Sequence, residues 1–292
     1  MNYKSFIFAA AALTLGLTAC SKDEAPQTEN LSADAVRINA SVGNPFAETR
    51  SNPVGNAEEQ AKFNQGDEIT VTAVTSEDDP NPASVIYTYD GEKWTPKDGK
   101  FLTWKIDNMF FEAVYPAVES GMTIGSVETD QSTLEKIAKC DWMTAAINNA
   151  TKGQVLNFAM QRVTSRLVVK IAGFNPEFAA DAKVTDVKIV DQSDAVPHTA
   201  TTYTDYIPYP QGDGSLGSTY MLLRGRNMRY QYISLKVGNK EMRTAILNDG
   251  ENGKSYTYNL RVGKEKIEIE SVTVSDWSNS ETIPGGSAGE IF

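Results

Sequence analysis

The side chains that usually carry catalysis are scarce in this sequence. It contains one histidine, His198, and besides Cys20 it contains one other cysteine, Cys140. A Ser-His-Asp or Cys-His arrangement would have to use His198, which follows Pro197 in a stretch typical of a loop or a strand start. We therefore interpret His198 as an exposed loop residue and Cys140 as a buried apolar residue, and we expect no catalytic residue and no enzyme activity.

Metal and cofactor chemistry has equally little support in the sequence. Zinc sites need clusters of histidine and cysteine, which the chain lacks. Calcium sites need spaced carboxylates in a turn, and the weak matches are Glu77–Asp79 and Asp213, which also suit charged hairpin tips. A carboxylate pair for glycoside hydrolysis stays open, because any two of the 38 acidic residues can meet in space. We expect no metal and no cofactor.

The N-terminus predicts export and lipid anchoring. Phe6–Leu17 is an apolar run that is short for a transmembrane helix, so residues 1–19 are predicted to be a signal peptide. The run ends in Leu17-Thr18-Ala19-Cys20, which resembles the bacterial lipobox, where the cysteine is acylated and becomes the new N-terminus. The acyl chains on Cys20 would anchor the protein to the outer membrane. The acidic Ser21–Glu24 resembles the surface-export signal of Bacteroidales lipoproteins.

The charge balance excludes one class of partner. Removing Lys4 with the signal peptide changes the formal net charge from −11 to −12. Nucleic-acid binding requires a basic face, so we expect no nucleic-acid partner. With Cys20 acylated, Cys140 has no second cysteine for an internal disulfide, and the fold must rest on its hydrophobic core.

Alternating apolar and polar residues predict an all-β protein. Residues 20–33 are polar and predict a tether, and residues 34–42 then alternate as a half-buried strand does. Many short strands at near-regular spacing are typical of a β-sandwich or barrel. The further predicted strands lie at 69–74, 85–89, 109–115, 155–158, 165–171, 184–190, 199–204, 219–223, 230–237, 244–247, 256–262 and 267–274.

One short helix and one domain boundary complete the prediction. Asp130 is predicted to cap a helix that places Leu134, Ile137 and Ala138 on one face. The length suggests two domains, and the polar stretch 148–153 suggests where they meet. The N-terminal domain is thus predicted over 34–150 and the C-terminal domain over 151–292.

Two aromatic groups either form a carbohydrate platform or pack inside the protein. They are Tyr87, Tyr89 and Trp94, and Tyr203, Tyr206 and Tyr209. Packing is favoured for the first group, because alternating aromatic residues in strands usually pack against neighbours. The second group includes Pro208 and Pro210, which exclude a central strand, and is interpreted as a contact surface.

The order and spacing of several short motifs resemble the fimbrillin family of the Bacteroidales, the subunits of type V pili. The resemblance covers nearly all of the mature chain and is densest from Arg50 to Lys170. Each motif is weak alone, and their order is more specific. The motifs are Thr49-Arg50, Phe63–Ile69, Tyr87–Trp94, Phe110–Pro116, Gln131-Ser132, Asp141–Ala145, Leu156–Phe158 and Arg166–Val169.

This resemblance implies two tandem transthyretin-like Greek-key β-sandwich domains and a fimbria on the cell surface. It also implies assembly with other pilin subunits, in a homopolymer or heteropolymer. A protease is expected to cut between Arg50 and Ser51 and so to release the first strand. A donor strand from another subunit would then fill the groove. The residues of the displaced strand that would face the groove are Val36, Ile38, Ala40 and Val42.

The donor segment is predicted at 278–292, where Ile283, Ile291 and Phe292 would fill pockets of a neighbouring subunit. Pro284-Gly285-Gly286 interrupts a regular strand there, which leaves stalk, tip and anchor roles open. Two further hypotheses remain beside the fimbrial subunit. One is a surface lipoprotein that binds a glycan or protein ligand, from the host or from bacteria, without polymerising. The other is a hydrolase on a β-scaffold, which the lone histidine disfavours.

Overall fold

The alternating segments form strands in a computed structural model of the chain. It describes residues 32–42, 62–76, 79–118, 122–192, 203–225, 231–246, 250–276 and 279–284. The elements are β1 (Arg37–Val42), β2 (Glu68–Val74), β3 (Ala83–Tyr89), β4 (Trp94–Pro96), β5 (Asn108–Tyr115), α1 (Leu134–Ala138), β6 (Met143–Thr151), β7 (Val155–Arg162), β8 (Ser165–Phe174), β9 (Val184–Asp191), β10 (Thr204–Tyr206), β11 (Tyr209–Gln211), β12 (Thr219–Arg224), β13 (Gln231–Val237), β14 (Lys240–Ala245), β15 (Lys254–Val262), β16 (Ile267–Asp276) and β17 (Asn279–Pro284). Within these ranges, no helix is long and apolar enough to span a membrane.

The first sheet has seven strands in the order β1-β7-β6-β5-β2-β3-β4. Strand β2 shows why these segments pair. Its Ile69, Val71 and Ala73 are fully buried, while the threonines between them are partly exposed, as the period of a half-buried strand requires. The inward side chains of the sheet form one hydrophobic core, which runs along the chain from Val36 to Met160.

The two ends of this sheet approach each other. The indole Nε1 of Trp94 in β4 donates to the carbonyl oxygen of Ala40 in β1, at 3.4 Å. At the other end of β1, residues 102–104 supply backbone partners, including an antiparallel bridge between Ala35 and Thr103. The core is therefore enclosed on both sides, as in a sandwich.

The second core lies between a four-stranded sheet (β10-β9-β13-β14) and a six-stranded sheet (β11-β12-β8-β15-β16-β17). Ile189 and Leu235 come from the smaller sheet, and Val169 and Tyr258 come from the larger sheet. All four side chains are completely buried. Two sheets that share one apolar core form a β-sandwich, so the all-β prediction is confirmed.

The helix α1 lies on the outer face of the larger sheet. Its Ile137 packs with Cys140, Met221 and Leu223 in a small third cluster. The predicted helix is present, but the predicted cap is wrong, because the Oγ1 of Thr133 accepts from the amide of Lys136. Asp130 instead binds Ser132 and the ammonium group of Lys136.

The polar stretch 148–153 does not separate the two cores. Residues 148–151 are the end of β6 and residues 152 and 153 begin the turn to β7, which lies in the first sheet beside β1. The change from the first core to the second occurs between Met160 and Leu167. The predicted domain boundary at residue 150 therefore falls inside the first sheet. The polar residues there belong to the hairpin between β6 and β7 and do not form a linker between domains. Both cores belong to one compact unit, Ala33–Phe292.

Candidate functional site

Strand β1 occupies the end of the first sheet. Among the described strands it pairs with β7, in parallel and in continuous register from Arg37 opposite Val155 to Val42 opposite Met160. A strand at the end of a sheet can leave without breaking a ladder between two other strands. Because β6 and β7 remain joined by their own hairpin, the rest of the sheet keeps its order when β1 is absent.

The inward face of β1 is apolar and buried. Val36, immediately before β1, is fully buried, Ile38 is 6% exposed and Val42 is 7% exposed, while Ala40 is partly buried against the same core. Complete burial of one such side chain stabilises a protein by roughly 1.5–3 kcal/mol, so the three large ones contribute about 5–9 kcal/mol. This large contribution makes an empty β1 position unfavourable.

The position that β1 fills is a furrow with an apolar floor. The residues of β7 opposite Ile38, Ala40 and Val42 are Leu156, Phe158 and Met160, all buried. Without β1, these three side chains and one edge of the β7 backbone would meet water. Unpaired backbone groups and exposed apolar surface both favour a replacement strand with the same alternation.

Beyond the β7 ladder, hydrogen bonds hold β1 near both of its ends. Near its start, the amide of Val36 donates to the carbonyl oxygen of Leu102 at 2.8 Å, and the amide of Trp104 donates to that of Asp34 at 2.9 Å. Near its end, Nε1 of Trp94 in β4 donates to the carbonyl oxygen of Ala40 at 3.4 Å. These contacts are lost together with the ladder when β1 leaves the sheet.

Several predicted site residues lie outside the part of the chain that the structure describes. They are Cys20, Arg50, Ser51, His198, Ile291 and Phe292. The backbone of Ile283 lies within the described residues. It pairs with Val272, because β17 is the antiparallel neighbour of β16. This part of the predicted donor segment thus forms the outer strand of the chain's own second sandwich.

A glutamine that the sequence reasoning did not single out for its chemistry joins the helix segment to the second sandwich. Gln131 is fully buried, and its Nε2 donates to the carbonyl oxygen of Leu223 at 2.9 Å. In return the backbone amide of Leu223 donates to Oε1 of Gln131 at 2.8 Å. The side chain thereby imitates a neighbouring strand's peptide group. A lone glutamine in a polar stretch gives no sequence signal for this role.

A buried ion pair lies near the junction of the two cores. Arg162, at the end of β7, donates from Nε and Nη2 to the two carboxylate oxygens of Asp141, at 2.9 and 3.0 Å. The Arg162 side chain is 7% exposed and that of Asp141 is fully buried. Burial also lowers the pKa of the neighbouring Arg166 guanidinium to about 10. Such a bidentate pair fixes geometry, and breaking it leaves a buried charge.

One carboxyl group near this junction has an unusual acidity. Burial raises the pKa of Asp67 to about 6, against the opposing effect of hydrogen bonds from the Asn64 amide and the Tyr115 hydroxyl. The nearby negative charge of Asp141 adds a smaller increase. Asp67 lies immediately before β2 and helps to hold the turn at 64–67.

The remaining chemistry-bearing residues have structural surroundings. Cys140 is buried, as predicted, and burial raises the pKa of its thiol to about 11. Asp79 accepts from Thr75 and Asn81, which lowers its pKa to about 2. In the described ranges, no group of three or more histidine, cysteine, aspartate or glutamate residues could hold a metal ion.

The two aromatic groups differ from one another. Tyr87 and Trp94 are buried in the first core, as predicted, and Tyr89 packs beside them with its ring centroid 5.1 Å from that of Trp94. In the second group, Tyr206 and Tyr209 pack against the second and third clusters. Tyr203 is 49% exposed, whereas Tyr206 and Tyr209 are half-buried, and the contact surface formed by these three residues stays a prediction.

Comparisons with known proteins agree with this architecture. The model of the fimbrillin-like family matches residues 49–277. A candidate cell adhesion protein of Bacteroides uniformis ATCC 8492 is 17% identical with a TM-score of 0.56, over 83% of this chain and 98% of that chain. A candidate cell adhesion protein of Bacteroides ovatus ATCC 8483 is 12% identical with a TM-score of 0.56, over 88% and 99%. At these identities the likeness concerns the fold. No curated protein matches the chain.

Proposed function

Because the chain belongs to the fimbrillin-like family, we propose that it is a structural and adhesive subunit of a cell-surface fimbria of the type V pilus kind. Other pilin subunits are its partners, and the subunit joins them by donor-strand exchange. Proteolysis removes the first strand, and a strand from another subunit takes its place. In this account the protein first reaches the outer membrane as a lipoprotein anchored at Cys20.

The position of β1 is the observation that carries this proposal. Among the described strands it is an edge strand with a buried apolar face and a ladder to β7, and beneath it lies a furrow formed by Leu156, Phe158 and Met160. A strand that contributes about 5–9 kcal/mol cannot be lost without replacement in a protein of ordinary stability. The family match begins at residue 49, after β1, so the replaceable strand lies outside the matched region.

The proposed cut lies between Arg50 and Ser51, in a Pro- and Gly-containing stretch between β1 and β2. Cleavage there separates Val36, Ile38, Ala40 and Val42 from the rest of the sheet. The release of the N-terminal segment would also detach the subunit from its lipid anchor. Processing and assembly are thereby coupled.

The donor role of residues 278–292 requires a rearrangement. Residues 279–284 pair with β16, so they have to leave their own sheet before Ile283 can enter a neighbour. Ile291 and Phe292 supply the other proposed apolar side chains. In the described part of the chain, six residue pairs join β17 to β16 and β17 is an edge strand, so its release breaks one ladder, whereas release of a central strand breaks two.

The same pairing favours a second candidate function. If residues 279–284 stay on β16, the chain keeps its own C-terminal strand and has no donor to offer. The protein would then act as a surface lipoprotein that binds a glycan or protein ligand without polymerising. The two functions differ in whether residues 20–50 remain attached.

The test compares cells that produce the natural chain with cells that produce Arg50→Ala, and Arg243→Ala is the matched control. Arg243 is an exposed residue of β14, distant in sequence from the proposed cut. We expect filaments labelled by an antibody to this chain from the natural chain and from Arg243→Ala. Arg50→Ala should accumulate as a lipidated monomer. Filaments of normal number from Arg50→Ala would contradict cleavage at this residue.

A further inference from the structure

A pocket of about 300 Å³ lies where the two ends of the first sheet approach each other. Three consecutive residues of β1 and two of β7 form one part of its wall, and the β3–β4 hairpin forms the other. Its volume is at the lower end of the range for small-molecule sites. The lining residues are Asn39, Ala40, Ser41, Tyr89, Glu92, Trp94, Asn157 and Phe158.

The polar groups of this pocket have unused hydrogen-bonding capacity. Asn39 donates from Nδ2 to Oδ1 of Asn157 at 3.0 Å, so its own carboxamide oxygen is not used in that bond. The hydroxyl oxygen of Ser41 is buried and has no hydrogen-bond partner among the described residues. A buried hydroxyl without a partner is unfavourable, and a ligand hydroxyl would satisfy it.

The apolar part of the lining is aromatic. Tyr89 is half-buried, and Trp94 lies behind it with the ring centroids 5.1 Å apart at an interplanar angle of 35°. Phe63 packs edge-on against Trp94 at 5.0 Å and fixes the indole from another side. A rigid ring beside amide and hydroxyl groups suits a ligand that combines an apolar C–H face with several hydroxyls. A sugar ring has this composition.

From this arrangement we infer that the pocket binds one neutral monosaccharide unit, such as the terminal residue of a glycan. Tyr89 contacts the C–H face of the sugar, and Asn39, Ser41 and Glu92 bind its hydroxyls. The Glu92 carboxylate and the formal charge of −11 repel a carboxylated or sulfated sugar. The site is complete only while β1 is in place, since three of its residues belong to that strand.

The unprocessed chain, which retains β1, is the protein to test. Saturation-transfer NMR is recorded with the methyl glycosides of glucose, galactose and N-acetylglucosamine, and with N-acetylneuraminic acid as the acidic probe. We expect transfer to at least one neutral glycoside, with a Kd of about 1 mM, as one small contact region allows. The acidic sugar should bind at least about tenfold more weakly.

Three variants connect the binding to the pocket. Tyr89→Ala removes the ring and is expected to weaken binding about tenfold or more. Ser41→Ala removes one hydroxyl that makes no bond in the described structure, so the fold should persist while binding weakens about two- to tenfold. Ser84→Ala is the matched control, because Ser84 lies in β3 outside the pocket and bonds to Thr72.

The outcomes separate clearly, and they do not depend on whether the chain polymerises. Neutral binding that falls in Ser41→Ala and Tyr89→Ala but not in Ser84→Ala supports the site. Absence of transfer to all three neutral glycosides would overturn it. Binding that is unchanged in Ser41→Ala, or equally strong for the acidic sugar, would also overturn it.

Discussion

Shortening one inward side chain of β1 should destabilise the first core measurably. Ile38 is 6% exposed, lies opposite Leu156 and belongs to the first hydrophobic cluster. Replacing a buried isoleucine by alanine costs 2–5 kcal/mol, depending on how far the site collapses. Since β1 is an edge strand that can shift toward the core, we expect Ile38→Ala to lower the free energy of unfolding by about 2–3 kcal/mol.

Urea unfolding monitored by tryptophan fluorescence measures this loss, because Trp94 and Trp104 both belong to the first core. Arg37→Ala is the matched control. Arg37 is the preceding residue, its side chain is exposed, and its substitution should change the free energy by less than about 0.5 kcal/mol. If Ile38→Ala is no more destabilising than Arg37→Ala, then β1 does not fill the furrow as described and the reasoning fails.

Three further expectations follow from the buried polar groups. Arg162→Met removes the bidentate partner of the buried Asp141 and should cost about 3–5 kcal/mol in urea unfolding, whereas a loss below about 1 kcal/mol would contradict the buried pair. The pKa of Asp67 is raised to about 6, so its stabilising contribution is complete below pH about 4 and is lost as the pH rises through 6. In thermal unfolding, Asp67→Asn should therefore melt higher than the natural chain at pH 7 and about equally at pH 4, and an equal difference at both pH values would refute this. Burial raises the pKa of the Cys140 thiol to about 11, so iodoacetamide at pH 8 should label it slowly in the native chain and rapidly in urea, as mass spectrometry would show. Equal rates would contradict its burial.

The strand pattern was predictable where the alternation was clear. Residues 34–42 contain β1, and residues 109–115 match β5 to within one residue. Strand β6 was not predicted, because Met143–Thr151 contains two adjacent alanines and two adjacent asparagines that hide its period. The prolines at 208 and 210 were correctly predicted to exclude a central strand, since β10 and β11 are both edge strands.

The position of β1 in its sheet required the structure. Alternation predicts a half-buried strand, but it does not say which strand lies beside it. The parallel pairing with β7 joins residues more than 100 positions apart, such as Ile38 and Leu156. Long-range pairing is set by the packing of the whole core, and a single sequence contains no local signal for it.

The polar contacts near the junction of the cores were missed for the same reason. Gln131 and Asp141 occur in motifs that contributed to the family resemblance, yet their partners Leu223 and Arg162 are distant in sequence. A polar residue in a polar stretch is normally exposed, and only tertiary packing decides that these two are buried. The two motifs therefore included Gln131 and Asp141 but did not indicate that these side chains are buried and bonded to distant residues.

The most direct test of the account is the N-terminus of the protein on its native cells. Intact mass and N-terminal sequencing are performed on chains recovered from the cell surface and separated into polymer and monomer. Strand exchange after cleavage at Arg50 predicts that polymerised chains begin at Ser51 and carry no lipid. Chains that begin at acylated Cys20 and stay monomeric would contradict strand exchange and would leave a surface lipoprotein that binds a ligand.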